Sequence, residues 1–389
     1  MTTQTALAAG GVTVREIPPG KSLEPFIDLA WRLNADDPNW VAPLRMSVAT
    51  ALNRGKHPFR QHAEVAYFVA ERDGAGLVGR IAAIENRLHN EFHGDRVGFF
   101  GLFESENRRE TAEALFDAAA TWLRGRGMRS VRGPMNFSTN DEVASPGVLV
   151  EGFETRPYFM MGHNPRYYAA LLEGAGFEKA NDLVAFYLDD PEALPRRWVE
   201  NFDRVLQRQG ATLRTVDLRR FRDDVAAIKE IYNAAWSKNW GFVPMTDAEF
   251  EHLAKEFRPV IDPELCLIAE VDGEPIGFSL ALPDLNEVFH RIPSGRLLPL
   301  GALKILWYRR KIKGIRVMTA GFKPRFQHAG LGPALYLRTW LNGVKLGYVK
   351  GETSWILEGN HEMIRALERI GGHPYKRYRV YDREIAPSA

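Results

Sequence analysis

The feature of the sequence that most restricts the fold is an internal repeat. The segments 71–84 and 270–282 each combine a strand, a tight Asp-Gly turn and a second strand, which is typical of an antiparallel hairpin. Three landmarks recur in the same order at nearly constant spacing: Asp73 and Asp272 (199 residues apart), Asn164 and Asn360 (196), and Gly176 and Gly372 (196). This recurrence indicates a duplicated domain of just under 200 residues.

Each half of the chain predicts the same order of elements. A leading helix precedes the hairpin, and a third strand, a long helix, a further strand, a short helix and a closing strand follow it, which predicts an α/β fold. The predicted third strand and long helix cover 97–103 and about 108–126 in the first half, and 315–322 and 333–346 in the second. Two prolines and three acids at 189–195 mark the linker, so the predicted domains are 1–190 and 196–389.

Composition excludes several classes of protein. The 389 residues suit two domains, and 51 basic against 49 acidic side chains give no basic field for nucleic acid. A single cysteine, Cys266, excludes an internal disulfide or a Cys-rich zinc site, and we predict no metal. The first residues, MTTQTALAAGG, lack the basic and apolar regions of a signal peptide, and no apolar run is long enough to span a membrane. We therefore expect a cytoplasmic protein.

A glycine-rich loop in the second half has the chemistry of an anion site. Gln327-x-x-Gly330-x-Gly332 lies between a predicted strand and an alanine- and leucine-rich helix. Glycines allow close approach of the backbone to a ligand, and a helix start offers N–H groups and a positive dipole end, which together bind a pyrophosphate. Pro333 suits the first helical position, and Arg325 adds a cation. The alternative is an ordinary turn whose glycines serve packing only.

Together with Asn360 at the start of a later helix, this loop resembles the coenzyme A site of the GCN5-related N-acyltransferases (GNAT). The order of elements in both halves is similar to that fold, so the resemblance covers nearly the whole chain as tandem GNAT-like domains. It implies a mixed sheet with a splayed middle, and acyl-CoA as the donor substrate. The residues it assigns to the cofactor are Ala320, Phe322, Arg325, Gln327, His328, Ala329, Gly330, Leu331, Gly332, Pro333, Ala334 and Asn360.

The first half departs from this pattern after its third strand. No Gln-x-x-Gly-x-Gly follows Phe103, and Glu104, Glu106 and Glu110 would repel a diphosphate. We therefore expect the first domain to lack the cofactor site and to act as a structural partner or to shape the acceptor pocket.

Acylation of an amine by a thioester needs a base, a donor to the oxyanion and a proton for the thiolate. In the family a backbone N–H beside the third strand supplies the oxyanion donor, which corresponds to 320–322 here. The family's tyrosine, six residues after the asparagine, is replaced by Ala366. Either Tyr375, Tyr378 or Tyr381 takes its place, or the thiolate leaves unaided because its basicity is low.

Three side chains are candidates for the base: Glu358, just before Asn360, and His290 and Glu287, between the hairpin and the third strand. The alternative for Glu358 is a solvated carboxylate that favours the helix dipole. For the acceptor, we interpret Asn136, Asn140 and Asp141 as a polar loop lining the pocket, or else a network capping turns. Trp240 and Phe242 form a lid, or else a buried aromatic anchor.

The segment Arg296–Arg316 contains seven basic residues and no acids, among many apolar ones. This composition is typical of an interfacial helix on an anionic membrane, and the alternative is a core helix whose cations face solvent or the CoA phosphates. The Asn-Trp-Gly-Phe at 239–242 and the Lys-x-Tyr-Arg-x-Tyr at 376–381 resemble a group of large bacterial tandem acyltransferase-like proteins, some of them associated with ceramide synthesis. Both observations favour a hydrophobic amine acceptor, such as a sphingoid long-chain base, and a protein peripheral at the inner membrane.

Three functions therefore compete. The first is an N-acyltransferase that uses acyl-CoA, with acyl carrier protein as an alternative donor; an N-acetyltransferase of a small amine is its variant. The second is a non-catalytic acyl-CoA- or lipid-binding protein, which the absence of the family's tyrosine favours. The third, a nucleotide hydrolase, is weak because no Gly-Lys-Ser/Thr follows Gly332.

Overall fold

The computed structural model describes residues 7–9, 11–53, 55, 57–138, 146–189, 196–327 and 329–385. The chain forms two compact units. Unit 1 comprises Met1–Asp182, Phe289–Leu303 and Arg377–Ala389, and unit 2 comprises Leu183–Val288 and Lys304–Lys376. These units differ from two consecutive halves because each half ends in a strand whose last residues pair within the other unit. Residues 377–384 pair with 130–133 and 148–151, and residues 183–188 pair with 351–357.

The elements of the first half follow the predicted order. The strands are β1 Leu7–Ala9, β2 Val12–Glu16, β3 Ala63–Arg72, β4 Gly76–Asn86, β5 Val97–Ser105, β6 Ser130–Gly133, β7 Val148–Glu151 and β8 Glu178–Leu188. The helices are α1 Glu24–Leu33, α2 Arg45–Ala51, α3 Arg87–His93, α4 Arg109–Arg124 and α5 Tyr168–Gly174. The observed β5 extends the predicted third strand by two residues.

The second half repeats this order. Its strands are β9 Ala211–Thr215, β10 Cys266–Val271, β11 Glu274–Pro283, β12 Gly314–Phe322, β13 Lys350–Leu357 and β14 His373–Glu384. Its helices are α6 Arg196–Arg208, α7 Phe221–Ala235, α8 Asp247–Phe257, α9 Asn286–Phe289, α10 Gly301–Tyr308, α11 Gly332–Lys345 and α12 His361–Arg369.

The unit 1 sheet has the order β1-β2-β3-β4-β5-β6, followed by residues 377–384 of β14. Its strands are antiparallel except for β5 and β6, which are parallel. Alanines and large apolar residues recur along α4 at helical spacing, so this helix covers one face of the sheet. Phe103 stacks on Phe116 and Phe100 meets Phe116 edge-on in that core, while Phe26 of α1 lies in the cluster on the other face.

The unit 2 sheet has the order β8-β13-β12-β11-β10-β9, and β12 and β13 are its parallel pair. Leu335 and Trp340 of α11 pack with Ile315 and Phe322 on one face. On the other face, Ile228 of α7 packs against the smaller cluster of Cys266 and Ile268. The mixed sheets and their duplication confirm the predicted fold class.

Two kinds of feature are absent from the described residues. No helix within the described ranges has both the length and the apolar composition that a membrane crossing requires. Among the same residues, no group of three or more His, Cys, Asp or Glu side chains could hold a metal ion.

Candidate active site

The two parallel strands of unit 2 diverge halfway along their length. β12 and β13 pair over only four residues each, from Gly314 with Lys350 to Val317 with Thr353. Beyond that point β12 continues to pair with β11, and β13 continues to pair with β8. We call this divergence the unit 2 fork. The β12 residues before it are buried and residues 318–321 beyond it are half-buried, so the edge of the strand is accessible there.

A β-bulge lies directly at this fork. Leu280 pairs with Thr319 and Ala281 pairs with Val317, so Met318 is the extra residue on β12. A bulge bends its strand and redirects the backbone groups beside it. The accessible stretch of β12 therefore begins with a bend rather than with regular ladder geometry.

The glycine loop follows β12 and has room for a ligand. Gly332 is the first residue of α11, and a Cβ added there would meet nothing within 4 Å. Gly330 has a φ of +73°, and Val205 Cγ1, 3.9 Å away, is the nearest atom to its added Cβ. Leu331, which directly precedes α11, is buried and anchors the loop. Its apolar side chain cannot accept a hydrogen bond from the first N–H groups of the helix. The first N–H groups of α11 thus lack an intrahelical partner, and an anionic group fits against them.

The other loop residues divide into two groups. Gln327 Nε2 donates to Phe322 O at 3.2 Å and to Ala235 O at 2.9 Å, so its side chain fixes the loop to β12 and to the end of α7. Arg325 is exposed, with its guanidinium 5.5 Å from the centroid of the Phe326 ring. Ala320, Ala329 and Ala334 pack against the core beneath α11. His328 and the side chain of Pro333 lie outside the described residues.

Asn360 caps a helix. Its Oδ1 accepts a hydrogen bond from Met363 N at 3.2 Å at the start of α12, which leaves the amide group of the side chain as the donor for a pantetheine contact. Asn164, its counterpart in the first half, accepts from Leu149 N at 2.7 Å and donates to Pro165 O at 3.0 Å. The cofactor contact of Asn360 stays a prediction, whereas the Asn164 amide is engaged by its own backbone surroundings.

An aromatic wall lies against the accessible edge of β12. A Cβ added at Gly321 would lie 2.6 Å from the ring of Trp236, at the end of α7. Trp236 stacks on Tyr232 with centroids 5.0 Å apart and meets Phe278 edge-on at 5.7 Å. Trp236 was not among the residues predicted from the sequence, although its spacing of four residues from Tyr232 on one helix was a usable signal.

The predicted lid residues lie next to this wall. Phe242 is buried, with its ring 5.8 Å from that of Tyr232, as the alternative of an aromatic anchor requires. Trp240 is half-buried in the same turn, where Gly241 has a φ of +70°. The substrate contacts of both residues stay predictions.

The equivalent fork of unit 1 is filled by the protein itself. β5 and β6 pair only from Val97 to Phe99, and the chain after β6 then continues along β5. Met135 N donates to Phe100 O at 2.7 Å, and Asn136 Oδ1 accepts from Leu102 N at 2.8 Å. Asn136 thus holds the loop to β5, while Asn140 and Asp141 lie outside the described residues. The filled fork agrees with the expectation that the first domain lacks the cofactor site, which stays a prediction.

Two of the three acids that follow the third strand of unit 1, Glu104 and Glu106, form hydrogen bonds within the unit, and Glu110 is exposed. Glu104 accepts hydrogen bonds from Tyr168 Oη at 2.6 Å and Asn34 Nδ2 at 3.1 Å, and Arg80 lies 3.6 Å from it. Burial raises the pKa of Glu104, against the opposing effect of Arg80. Glu106 binds Arg72, with Nη2 to Oε1 at 2.8 Å. These carboxylates stabilise the segment at the end of β5, which corresponds in unit 1 to the glycine loop of unit 2.

The predicted catalytic residues are divided between the two units. Glu358 is half-buried directly after β13, in the same unit as the glycine loop. Tyr378 is buried in unit 1 and donates to Gly162 O at 3.0 Å. Tyr381 likewise donates to Glu173 Oε1 at 2.9 Å, and His290 belongs to unit 1. Tyr378, Tyr381 and His290 therefore belong to unit 1, whereas the glycine loop belongs to unit 2.

A buried charged cluster at the fork was missed altogether. Arg316 and Glu352 face each other in the ladder of β12 and β13 and are both fully buried, with Nε 3.2 Å from Oε2. Arg316 Nε also donates to Ser354 Oγ at 3.1 Å, and Lys376 is buried nearby. Burial raises the pKa of Glu352 to about 7, although Arg316, Ser354 and Lys376 all oppose the rise.

The apolar-basic segment, Arg296–Lys311, exposes apolar side chains to an unusual degree. Five of its large apolar residues are 60% to 80% exposed: Leu298, Leu300, Leu303, Leu306 and Trp307. Arg296, Arg309, Arg310 and Lys311 are exposed around them, as is Lys313 just beyond. Arg316, the seventh basic residue of the predicted interfacial segment, is fully buried in β12 and cannot contact a surface.

Comparisons with known proteins show clear relatives along the whole chain. No family model matches. The chain is 41% identical over 373 residues to the bacterial ceramide synthase of Caulobacter vibrioides, covering 93% of this chain and 95% of that protein. It is 35% identical over 372 residues to the protein YghO of Escherichia coli, covering 93% of each.

Solved structures show the same fold at low sequence identity. A tandem GNAT protein from the clavulanic acid biosynthesis pathway superimposes with a TM-score of 0.58 at 14% identity, covering 97% of this chain and all of that one. A GCN5-related N-acetyltransferase from Sphaerobacter thermophilus superimposes with a TM-score of 0.56, also at 14% identity, covering 98% of both chains.

Proposed function

The chain belongs to the family of tandem GCN5-related N-acyltransferases that includes the Caulobacter ceramide synthase, and on that basis we propose that it transfers an acyl group from acyl-CoA to a hydrophobic amine. The preferred acceptor is a sphingoid-type long-chain base. Acyl carrier protein is the alternative carrier of the acyl group.

The observation that carries the proposal is the glycine loop beside the unit 2 fork. Gly330 and Gly332 leave open space over the start of α11, where the pyrophosphate of CoA would lie against backbone N–H groups. From there the pantetheine arm would run along the accessible edge of β12. The thioester would then lie near the bulge at Met318, and a backbone N–H within 320–322 would stabilise the oxyanion.

The choice of a hydrophobic amine has three supports. The Caulobacter relative is named a ceramide synthase. Trp236 lies against the accessible edge of β12 at Gly321, and its ring packs on those of Tyr232 and Phe278. Finally, the apolar-basic segment offers exposed leucines and a tryptophan for collecting a lipid from a membrane surface.

We further propose that the protein binds peripherally to an anionic membrane through the apolar-basic segment. Apolar side chains ringed by cations are suited to the boundary between headgroups and acyl chains. Each cation near an anionic surface contributes about 1 kcal/mol, so the five exposed cations from Arg296 to Lys313 would give reversible attachment.

Release of free thiol from long-chain acyl-CoA, measured on a panel of amines, tests the proposed reaction. We expect turnover with long-chain bases and none with polyamines. Turnover with small amines alone would indicate an N-acetyltransferase-like enzyme for polar substrates. Binding of acyl-CoA without turnover on any amine would indicate a non-catalytic protein, an outcome consistent with Ala366 at the position of the family's tyrosine.

A further inference from the structure

Thr319 is the one polar side chain in the accessible stretch of β12. Residues 318–321 read Met-Thr-Ala-Gly and are half-buried, whereas Val317 and Phe322 on either side of them are buried. Thr319 directly follows Met318, the extra residue of the bulge at the unit 2 fork. Among the described residues, no partner forms a hydrogen bond with its hydroxyl. A ligand that lies along this stretch therefore meets a single hydrogen-bonding side chain.

The register of the sheet places Thr319 on the face that α7 covers. Thr319 pairs with Leu280 of β11, and side chains of directly opposed residues lie on the same face of a sheet. Leu280 packs against the same small apolar cluster as Ile228 of α7. Two residues after Thr319, Gly321 lies against the ring of Trp236 at the end of α7. Thr319 and Trp236 are therefore on the same side of β12.

Trp355 flanks the fork on this face from the other strand. Ser354 and Trp355 together oppose one residue of β8, so β13 also has a bulge directly beyond the fork. The centroid of the half-buried Trp355 ring lies 4.6 Å from Cζ of Arg316. Arg316 alternates with two residues that pack in the core beneath α11, Ile315 and Val317, so it lies on the other face. Trp355 lies on that face with it.

The side of the fork away from α11 is thus a mostly apolar surface with one hydroxyl. Trp236 of α7 and Trp355 of β13 supply aromatic surface, and Thr319 of β12 supplies the hydrogen-bonding group. In small-molecule sites of this kind, the few polar groups fix the orientation of the ligand. The proposed function has CoA at the start of α11, so the opposite face is the one left for the amine acceptor.

The chemistry of Thr319 restricts the group that it can recognise. A threonine hydroxyl both donates and accepts a hydrogen bond and carries no charge. It cannot supply the counter-charge that a carboxylate or a second ammonium group would need in apolar surroundings. A hydroxyl group of the ligand fits, because it is neutral and can also act as donor or acceptor.

We propose that Thr319 is a specificity-determining residue that hydrogen-bonds to a hydroxyl group of the acceptor, on the carbon next to the one that bears the amine. This inference rests on the proposed function and restricts its acceptor to long-chain amino alcohols. Thr319 directly follows the bulge at Met318, near which the thioester would lie, so its hydroxyl would lie close to the attacking nitrogen. A hydroxyl on the adjacent carbon can reach it while the nitrogen stays at the thioester.

The contact selects between acceptors through the cost of leaving Thr319 without a partner. An alkylamine that lacks the hydroxyl would cover Thr319 with C–H groups and satisfy neither its donor nor its acceptor. A site that hydrogen-bonds a substrate hydroxyl rejects the analogue without it more strongly than an apolar pocket rejects a missing methylene group. The wild-type chain should therefore prefer a long-chain 2-amino alcohol to the simple primary amine of the same chain length.

The experiment measures kcat/KM for these two amines by thiol release from a long-chain acyl-CoA, in the full chain. Thr319→Val keeps the shape of the side chain and removes the hydroxyl. We expect it to lower kcat/KM for the amino alcohol by about 10- to 100-fold and to change that for the alkylamine by no more than about twofold. CoA affinity in calorimetry should be unchanged.

Two further variants are the controls. Thr319→Ser keeps a hydroxyl at the same position and should keep the preference for the amino alcohol. Thr215→Val makes the same change at another half-buried strand position of unit 2, on β9 at the edge of the sheet, and should also keep it.

Several results would overturn the inference. A preference for the amino alcohol that survives in Thr319→Val would do so, and so would an equal loss of activity with both amines, which would mean a structural role. If Thr319→Val does not fold by circular dichroism, Thr319→Ala gives the same comparison. Equal kcat/KM for both amines in the wild-type chain would refute the hydroxyl contact and leave the proposed function standing. No thiol release with any amine would refute the proposed function, and this inference with it.

Discussion

At the scale of single residues, two glycines show how the forks of the two units differ. A Cβ at Gly101 of β5 would lie 2.1 Å from the carbonyl oxygen of Met135, and a Cβ at Gly321 of β12 would lie 2.6 Å from the Trp236 ring. At Gly101 the neighbouring atoms are backbone atoms of Met135, whereas at Gly321 they belong to the side chain of Trp236. A side chain can move and a hydrogen-bonded backbone cannot, so the same substitution should have different consequences.

Gly101→Ala should therefore destabilise the protein by about 2–4 kcal/mol, because the loop at Met135 must leave β5. Gly321→Ala should cost less in the free energy of unfolding, while displacing Trp236 from the proposed acceptor pocket. Denaturant titration of both variants, together with the KM for the amine, checks this prediction. Equal stability losses, or an unchanged KM in Gly321→Ala, would contradict it.

Gly332→Glu should abolish the binding of coenzyme A and leave the fold intact. The new side chain has space, since an added Cβ meets nothing within 4 Å, but its carboxylate would lie where the pyrophosphate is expected. Calorimetry with CoA and circular dichroism are the measurements. Gly125→Glu is the matched control, because it adds the same charge at the end of α4 in unit 1, with no neighbour closer than 3.5 Å. Binding that survives in Gly332→Glu would refute the assignment of the loop.

Asn360 can be tested with a pair of substitutions that separate its two roles. Asn360→Ser keeps an acceptor for Met363 N, whereas Asn360→Ala removes both the cap and the amide donor. If the amide binds the pantetheine arm, both variants should weaken acyl-CoA by roughly 1–3 kcal/mol in calorimetry, and Asn164→Ala should not. Weakening in Asn360→Ala alone would mean that the residue is only a helix cap.

At the scale of elements, we predict that the apolar-basic segment is needed for binding to anionic vesicles. Leu303→Ser/Trp307→Ser should reduce sedimentation of the protein with anionic vesicles by about tenfold or more, because two largely exposed apolar anchors are lost. Thiol release with a water-soluble amine analogue should stay unchanged. Met46→Ser, which removes another exposed apolar side chain in α2, is the matched control. Equal vesicle binding by all forms at low salt would show that the segment does not contact lipid.

Elements were easier to predict from the sequence than the site. The hairpins and the glycine loop have local signals, namely Asp-Gly turns and the spacing of Gly330 and Gly332, and the structure has these elements where the sequence predicts them. The pair of Arg316 and Glu352 has no such signal, because 36 residues separate its members and only the β12–β13 register joins them. The roles of Tyr378 and Tyr381 depend in the same way on the unit in which the last residues of β14 pair.

At the scale of the whole molecule, the two units predict one binding event per chain. Unit 2 has an accessible fork and an open glycine loop, whereas in the described part of unit 1 the fork is filled by the chain after β6. Calorimetry should give a stoichiometry of one CoA per chain, and CoA at 100 times its Kd should raise the free energy of unfolding of the binding unit by about 2.7 kcal/mol. Two equivalents bound at similar affinity would contradict the account of unit 1.

The filled fork of unit 1 also has a consequence for how such a chain can evolve. Met135 and Asn136 satisfy backbone groups of Phe100 and Leu102 that would otherwise need another partner. A mutation that withdraws this loop removes stability at once, while a cofactor site in unit 1 would form only after several further changes in the Glu104 region. Loss of these contacts would therefore be selected against before any such site could form, and the two hydrogen bonds, one between backbone groups and one to the side chain of Asn136, stabilise the structural difference between the duplicated halves.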